Sequence, residues 1–97
     1  MKTIEDVKNR LEELKPMLRE RFKVESIGFF GSYVRGEQKK KSDLDVLVEF
    51  YEPISLFQFI ELEDLLSEKL GVKVDLVSKK ALKPSIGQCI LKEVIYV

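Results

Sequence analysis

Apolar residues recur at Ile4, Val7, Leu11, Leu14 and Leu18, a spacing of three and four that puts them on one side of a helix. Thr3 is placed to cap that helix, and Glu5 and Asp6 suit the positive end of its dipole. Pro16 lies within the pattern, removes a backbone donor and predicts a kink near Lys15. Residues 24–30 are short, β-branched and aromatic and run into Gly31, which predicts a strand. Residues 31–36 read as a tight turn into a short helix, and 37–42 as a polar loop carrying Lys39, Lys40 and Lys41. Over 43–50, Leu44, Val46 and Val48 alternate with Asp43, Asp45 and Glu49, the period of a second strand. Pro53 and Ser55 open a helix, with Ser55 and Gln58 at capping-box spacing and Gly71 as terminator. Leu56, Phe59, Ile60, Leu66 and Leu70 are its expected apolar face, and Phe50, Phe57 and Phe59 are expected in the core. Residues 72–77 predict a third strand. Pro84 and Ser85 start a last helix carrying Ile86, Ile90 and Val94, and 95–97 close the chain as a short strand. This order predicts an α/β (α+β) fold: one small mixed sheet flanked by helices.

Ninety-seven residues suit a single domain over 1–97, with 44% hydrophobic and 35% charged residues. A chain this short buries a modest share of its surface, so support from a partner is expected. Seventeen basic and seventeen acidic residues cancel, which argues against a general nucleic-acid coater. Histidine is absent, so histidine-based catalysis and histidine-ligated zinc are excluded. One cysteine, Cys89, rules out an internal disulfide and reads as a small core or interface residue. No apolar run is long enough to span a bilayer and residues 1–6 do not resemble a signal peptide, so the expected location is the cytoplasm. The acids Glu61, Glu63 and Asp64 read as a solvated helix face, with docking of a basic partner as the alternative. Tyr96 stands where a strand edge is open to pairing with another chain, so homo- or hetero-oligomers remain open.

Three features carry chemistry. Gly31-Ser32 follows a strand and precedes a short helix, where backbone N–H groups and a hydroxyl favour an anion and a glycine admits a phosphate. Taken alone, the pair is better explained as a plain turn, because Gly-Ser is common in turns. Asp43 and Asp45 are two apart on a strand and so share a side, where they repel unless a cation such as Mg²⁺ lies between them. The alternative is that both face water. Asp75 interrupts the apolar run 72–77, where a carboxylate is costly unless metal-bound or paired, with Lys73 as the candidate partner. If strands 43–50 and 72–77 are neighbours, the three carboxylates can hold two metal ions for in-line displacement at phosphorus. Asp75 is then the candidate base for an attacking hydroxyl, or positions that hydroxyl through the metal. Arg35 is placed to neutralise phosphate charge, whereas the lysine run reads as a solvated loop. Tyr33 suits base stacking or packing.

Gly31-Ser32-Tyr33-Val34-Arg35-Gly36, five residues, then Ser42-Asp43-Leu44-Asp45 resembles the G-S-x-x-R-G-x(n)-S-D-x-D signature of the DNA polymerase β-like nucleotidyltransferases. Within that superfamily the chain is most similar to the minimal nucleotidyltransferases (MNT) encoded beside HEPN-domain partners. The resemblance covers nearly the whole chain, with Asp75 matching the third acid. It implies transfer of a nucleoside monophosphate, AMP from ATP, to a hydroxyl acceptor with release of pyrophosphate. It implies that Gly31, Ser32, Arg35 and Ser42 bind the nucleotide and that Asp43, Asp45 and Asp75 are catalytic acids holding Mg²⁺. It further implies an antitoxin that AMPylates a tyrosine of a HEPN ribonuclease toxin. Two alternatives stand beside it: a non-catalytic module that silences a partner by covering it, and a stand-alone enzyme acting on a small molecule. Three mutually repelling acids favour catalysis over mere binding. The lack of an acceptor-binding domain argues against the small-molecule enzyme.

Overall fold

A computed structural model of the chain describes residues 4–36 and 43–97. Thr3, the loop 37–42 with its three lysines and Ser42, and the side chain of Ile86 lie outside the described residues. The elements are α1 (Ile4–Phe22), β1 (Val24–Phe30), α2 (Ser32–Arg35), β2 (Leu44–Phe50), α3 (Leu56–Leu70), β3 (Val74–Ser78), a 3₁₀ turn (Lys79–Ala81), α4 (Pro84–Glu93) and β4 (Ile95–Tyr96). Pro16 is accommodated inside α1 and does not end it. Lys23, at φ 60°, turns the chain out of α1 into β1. The second and third strands begin one and two residues later than the sequence predicts, and a 3₁₀ turn that the pattern does not predict follows β3.

The sheet has the order β3-β2-β1-β4 and is mixed: β1 is antiparallel to both β2 and β4, and β2 is parallel to β3. Its two faces differ in character because side chains alternate along each strand. Ile27 lies opposite Val48, Phe29 opposite Val46, Leu44 opposite Val74 and Val46 opposite Leu76. These residues are buried and join Val7, Leu11, Leu18 and Phe22 of α1 and Leu62, Leu66 and Leu70 of α3 in the core. The intervening register places Phe30 opposite Asp45 and Asp45 opposite Asp75, so the acids belong to the other face.

α3 is built as its sequence suggests at both ends. Ser55 accepts the Gln58 N–H while the Gln58 side chain accepts the Ser55 N–H, and Gly71 closes the helix at φ 69°. Its side chains also finish the open edge of β3. Val74 N–H donates to Ser67 Oγ at 3.0 Å and Leu76 N–H to Glu63 Oε2 at 2.9 Å. Glu61 pairs with Arg21 at 2.7 Å, so two of the three acids read as a solvated face have internal partners. Several apolar expectations for α3 are corrected. Phe57 is 86% exposed, Leu56 73% and Ile60 47%. At about 100° per residue, Phe57 and Ile60 stand roughly 140° and 160° round the helix from Leu62 and face away from the sheet. Phe50 and Phe59 pack edge-on at 6.2 Å at the margin of the core. Cys89 is exposed and is not a core residue. Among the described residues, no helix is long and apolar enough to cross a membrane.

Candidate active site

The site lies where β1 ends beside the start of β2. Gly31 has φ 86° and ψ −153°, a conformation that essentially only glycine adopts. A Cβ there would also run into the Asp45 carboxylate, with Asp45 Cγ at 3.1 Å. Two independent constraints therefore require glycine at 31. The Gly31 carbonyl accepts from the N–H groups of Val34 and Arg35, both at 3.1 Å, which winds α2 directly out of the turn. Gly36 in the left-handed region ends α2 after one turn. Tyr33 is buried in the core, so its packing reading holds and base stacking falls away.

Asp45 and Asp75 are register partners on adjacent parallel strands, which run about 4.8 Å apart. Asp43 precedes β2 by one residue. Burial, and then the charges of Asp75 and Asp43, raise the pKa of Asp45 above the usual carboxylate value; Arg35 acts in the opposite direction. The three acids thus feel one another as the sequence suggests. One premise is corrected. Asp75 is exposed, so its position carries no burial cost, and Lys73, also exposed, precedes the strand rather than sharing it. The sign of a cation site here comes from Asp45, partly buried and facing the charges of Asp75 and Asp43, and not from a buried Asp75.

Among the described residues, no three acidic, histidine or cysteine side chains are gathered closely enough to form a ready-made metal cage. The donor set nonetheless fits a hard divalent cation. It offers only carboxylate oxygens, and the repulsion that burdens Asp45 is what such an ion would relieve.

A residue absent from the sequence-based set joins the site. Glu93, the last residue of α4, accepts the Gly31 N–H on Oε2 at 3.0 Å and pairs through Oε1 with Arg35 Nη1 at 2.6 Å. The bond to Arg35, helped by the one from Gly31, holds the Glu93 carboxyl below its usual pKa. One clue was present in the sequence: an acid at a helix C-terminus opposes the helix dipole, so its partner must lie elsewhere. Gly31, Arg35, Asp45, Phe30, Ile90 and Glu93 line a cleft of about 410 Å³. Gly31, Arg35, Asp43, Asp45 and Asp75 are thus brought to one end of the sheet, and Ser32 follows Gly31 directly.

The fold is shared with known proteins. Residues 11–97 match the family model described as a nucleotidyltransferase domain. The chain is 54% identical over 97 residues to the protein adenylyltransferase MntA of Thermococcus cleftensis, covering all of this chain and 98% of that one. A solved structure described as a candidate minimal nucleotidyltransferase superposes with a TM-score of 0.83 at 35% identity, over 97% of this chain and 95% of the other. A toxin–antitoxin crystal structure with AMP-PNP superposes with a TM-score of 0.75 at 28% identity, over 91% of this chain and 69% of the other.

Proposed function

Because the chain belongs to the nucleotidyltransferase domain family, we propose that it moves AMP from ATP onto a hydroxyl of a partner protein and so acts as an antitoxin. The relative from Thermococcus cleftensis is named a protein adenylyltransferase, and a structural relative is a toxin–antitoxin pair with an ATP analogue. The acceptor we assign is a tyrosine of a HEPN-domain toxin, as the resemblance of the signature implies. The observation that carries the catalytic reading is the register pairing of Asp45 with Asp75 beside the Gly31 turn.

In this reading Gly31, Ser32 and Arg35 bind the phosphates, together with Ser42. Asp43, Asp45 and Asp75 hold Mg²⁺, two ions in the full arrangement, which when bound would offset charge on the transferring phosphoryl group. The acceptor oxygen attacks the α-phosphorus, the bond to pyrophosphate breaks, and the acceptor proton passes to the Asp75 carboxylate. The exposure of Asp75 suits that role, because an acceptor carried by another protein must reach it from outside.

The test is intact-mass spectrometry of the partner after incubation with this chain, ATP and Mg²⁺. A gain of one or more AMP units, absent with Asp43→Asn plus Asp45→Asn, is the expected result. No gain with any nucleoside triphosphate, with the partner still silenced by the double variant, would leave the non-catalytic binding module as the function.

A further inference from the structure

α4 is held unlike the other two long helices. Among its described residues only Gly87 is buried; Cys89 and Leu91 are exposed and Ile90 is half-buried. Its C-terminal end is instead pinned to the site by the two bonds of Glu93, whose side chain is 23% exposed. The groups that Glu93 engages are the ones assigned above to nucleotide phosphate. The Gly31 amide has a single hydrogen, and Arg35 offers the cation that a phosphate oxygen needs. A carboxylate and a phosphate oxygen are both anionic acceptors of the same charge-assisted bonds.

We propose that Glu93 is an internal stand-in for nucleotide phosphate: without nucleotide its carboxylate occupies the Gly31 amide and the Arg35 guanidinium, and nucleotide displaces it. This rests on the reading that nucleotide phosphates bind at Gly31 and Arg35. Displacement frees the C-terminal turn of α4 from the site. The release stays local, because β4 remains paired through Gly28–Tyr96 and Phe29–Ile95, and Val97 N–H donates to the Ile27 carbonyl at 3.0 Å. The last turn of α4 therefore reports the nucleotide state on the protein surface, where Leu91 is 42% exposed.

The test is titration of the full chain with the α,β-methylene analogue of ATP in Mg²⁺, read by calorimetry and by amide exchange. Glu93→Gln and Glu93→Ala are expected to bind the analogue about fivefold or more tighter than the unaltered chain, since they remove an internal competitor. In the unaltered chain the analogue should speed amide exchange over residues 90–94. In Glu93→Gln that exchange should be fast from the start and unresponsive. Equal or weaker binding by both variants, or slower exchange at 90–94 on adding analogue to the unaltered chain, would overturn the stand-in and make Glu93 a structural brace. The exchange measurement on the unaltered chain decides even if the variants fold poorly. Absence of binding by every form would overturn the nucleotide site itself, and the stand-in with it.

Discussion

α3 and α4 are both amphipathic helices against the same sheet, yet they are held in opposite ways. α3 buries Leu62, Leu66 and Leu70 completely, is capped at both ends, and uses Glu63 and Ser67 to finish the edge of β3. α4 has no side-chain cap, buries no side chain fully among its described residues, and is fastened by an acid placed against its own dipole. The capping and termination rules agree with the fold in α3, although Leu56, Phe57 and Ile60 stay exposed, whereas several local rules disagree in α4 and the Gly31 turn. Such disagreements gather where a protein works, because a site must keep charges and donors ready for a ligand. The scaffold and the site thus occupy opposite faces of one sheet, and each can be broken without the other.

The largest effect should come from the site face. Asp43→Asn with Asp45→Asn is expected to cut transfer by roughly 10²–10³-fold or more, as loss of electrostatic stabilisation generally does. Its thermal melt should not fall, since no core contact changes. Next in size is the scaffold face. Leu66→Ala leaves a cavity between α3 and the sheet and should cost about 2–5 kcal/mol in denaturant titration. Ile90→Ala in α4 should cost well under half as much, because Ile90 is only half-buried. Equal losses at the two positions would break the contrast between the helices. Smaller again is Ser55→Ala, which removes the capping box of α3 and should cost about 1 kcal/mol with transfer unchanged.

The scaffold was far more legible in the sequence than the site's connections. β1, the capping box, the Gly71 terminator and the short closing strand follow from local pattern, because neighbours along the chain determine them. The signature acids were legible too, since alternation along β2 fixes their side. What failed did so for reasons of three dimensions. Phe57 and Ile60 look like core by composition, and only their angle from Leu62 shows that they face outward. Asp75 looks like a buried charge inside an apolar run, but it stands on the edge strand β3 and its side chain is exposed. Glu93 lies 62 residues from Gly31, a separation at which sequence spacing says nothing about contact.

The smallest expected effect is one of sign. Asp45 has a raised pKa in the folded chain, through burial and then the charges of Asp75 and Asp43. Between its unfolded value, near 3.8, and its higher folded value, the folded state carries a proton that the unfolded state lacks. Its contribution to stability is therefore fully present below the unfolded value and lost as pH rises through the folded one. At neutral pH the ionised Asp45 weakens the metal-free fold, and Asp45→Asn should melt at a higher temperature than the unaltered chain. That advantage should shrink as pH falls through the folded pKa of Asp45. Mg²⁺ should raise the melting temperature of the unaltered chain more than that of Asp45→Asn, because the ion relieves a repulsion the variant no longer has. Melting curves across pH, with and without Mg²⁺, check both statements. A variant that melts lower at neutral pH would show that Asp45 supports the fold, and the division of the sheet into a scaffold face and a site face would fail at its central residue.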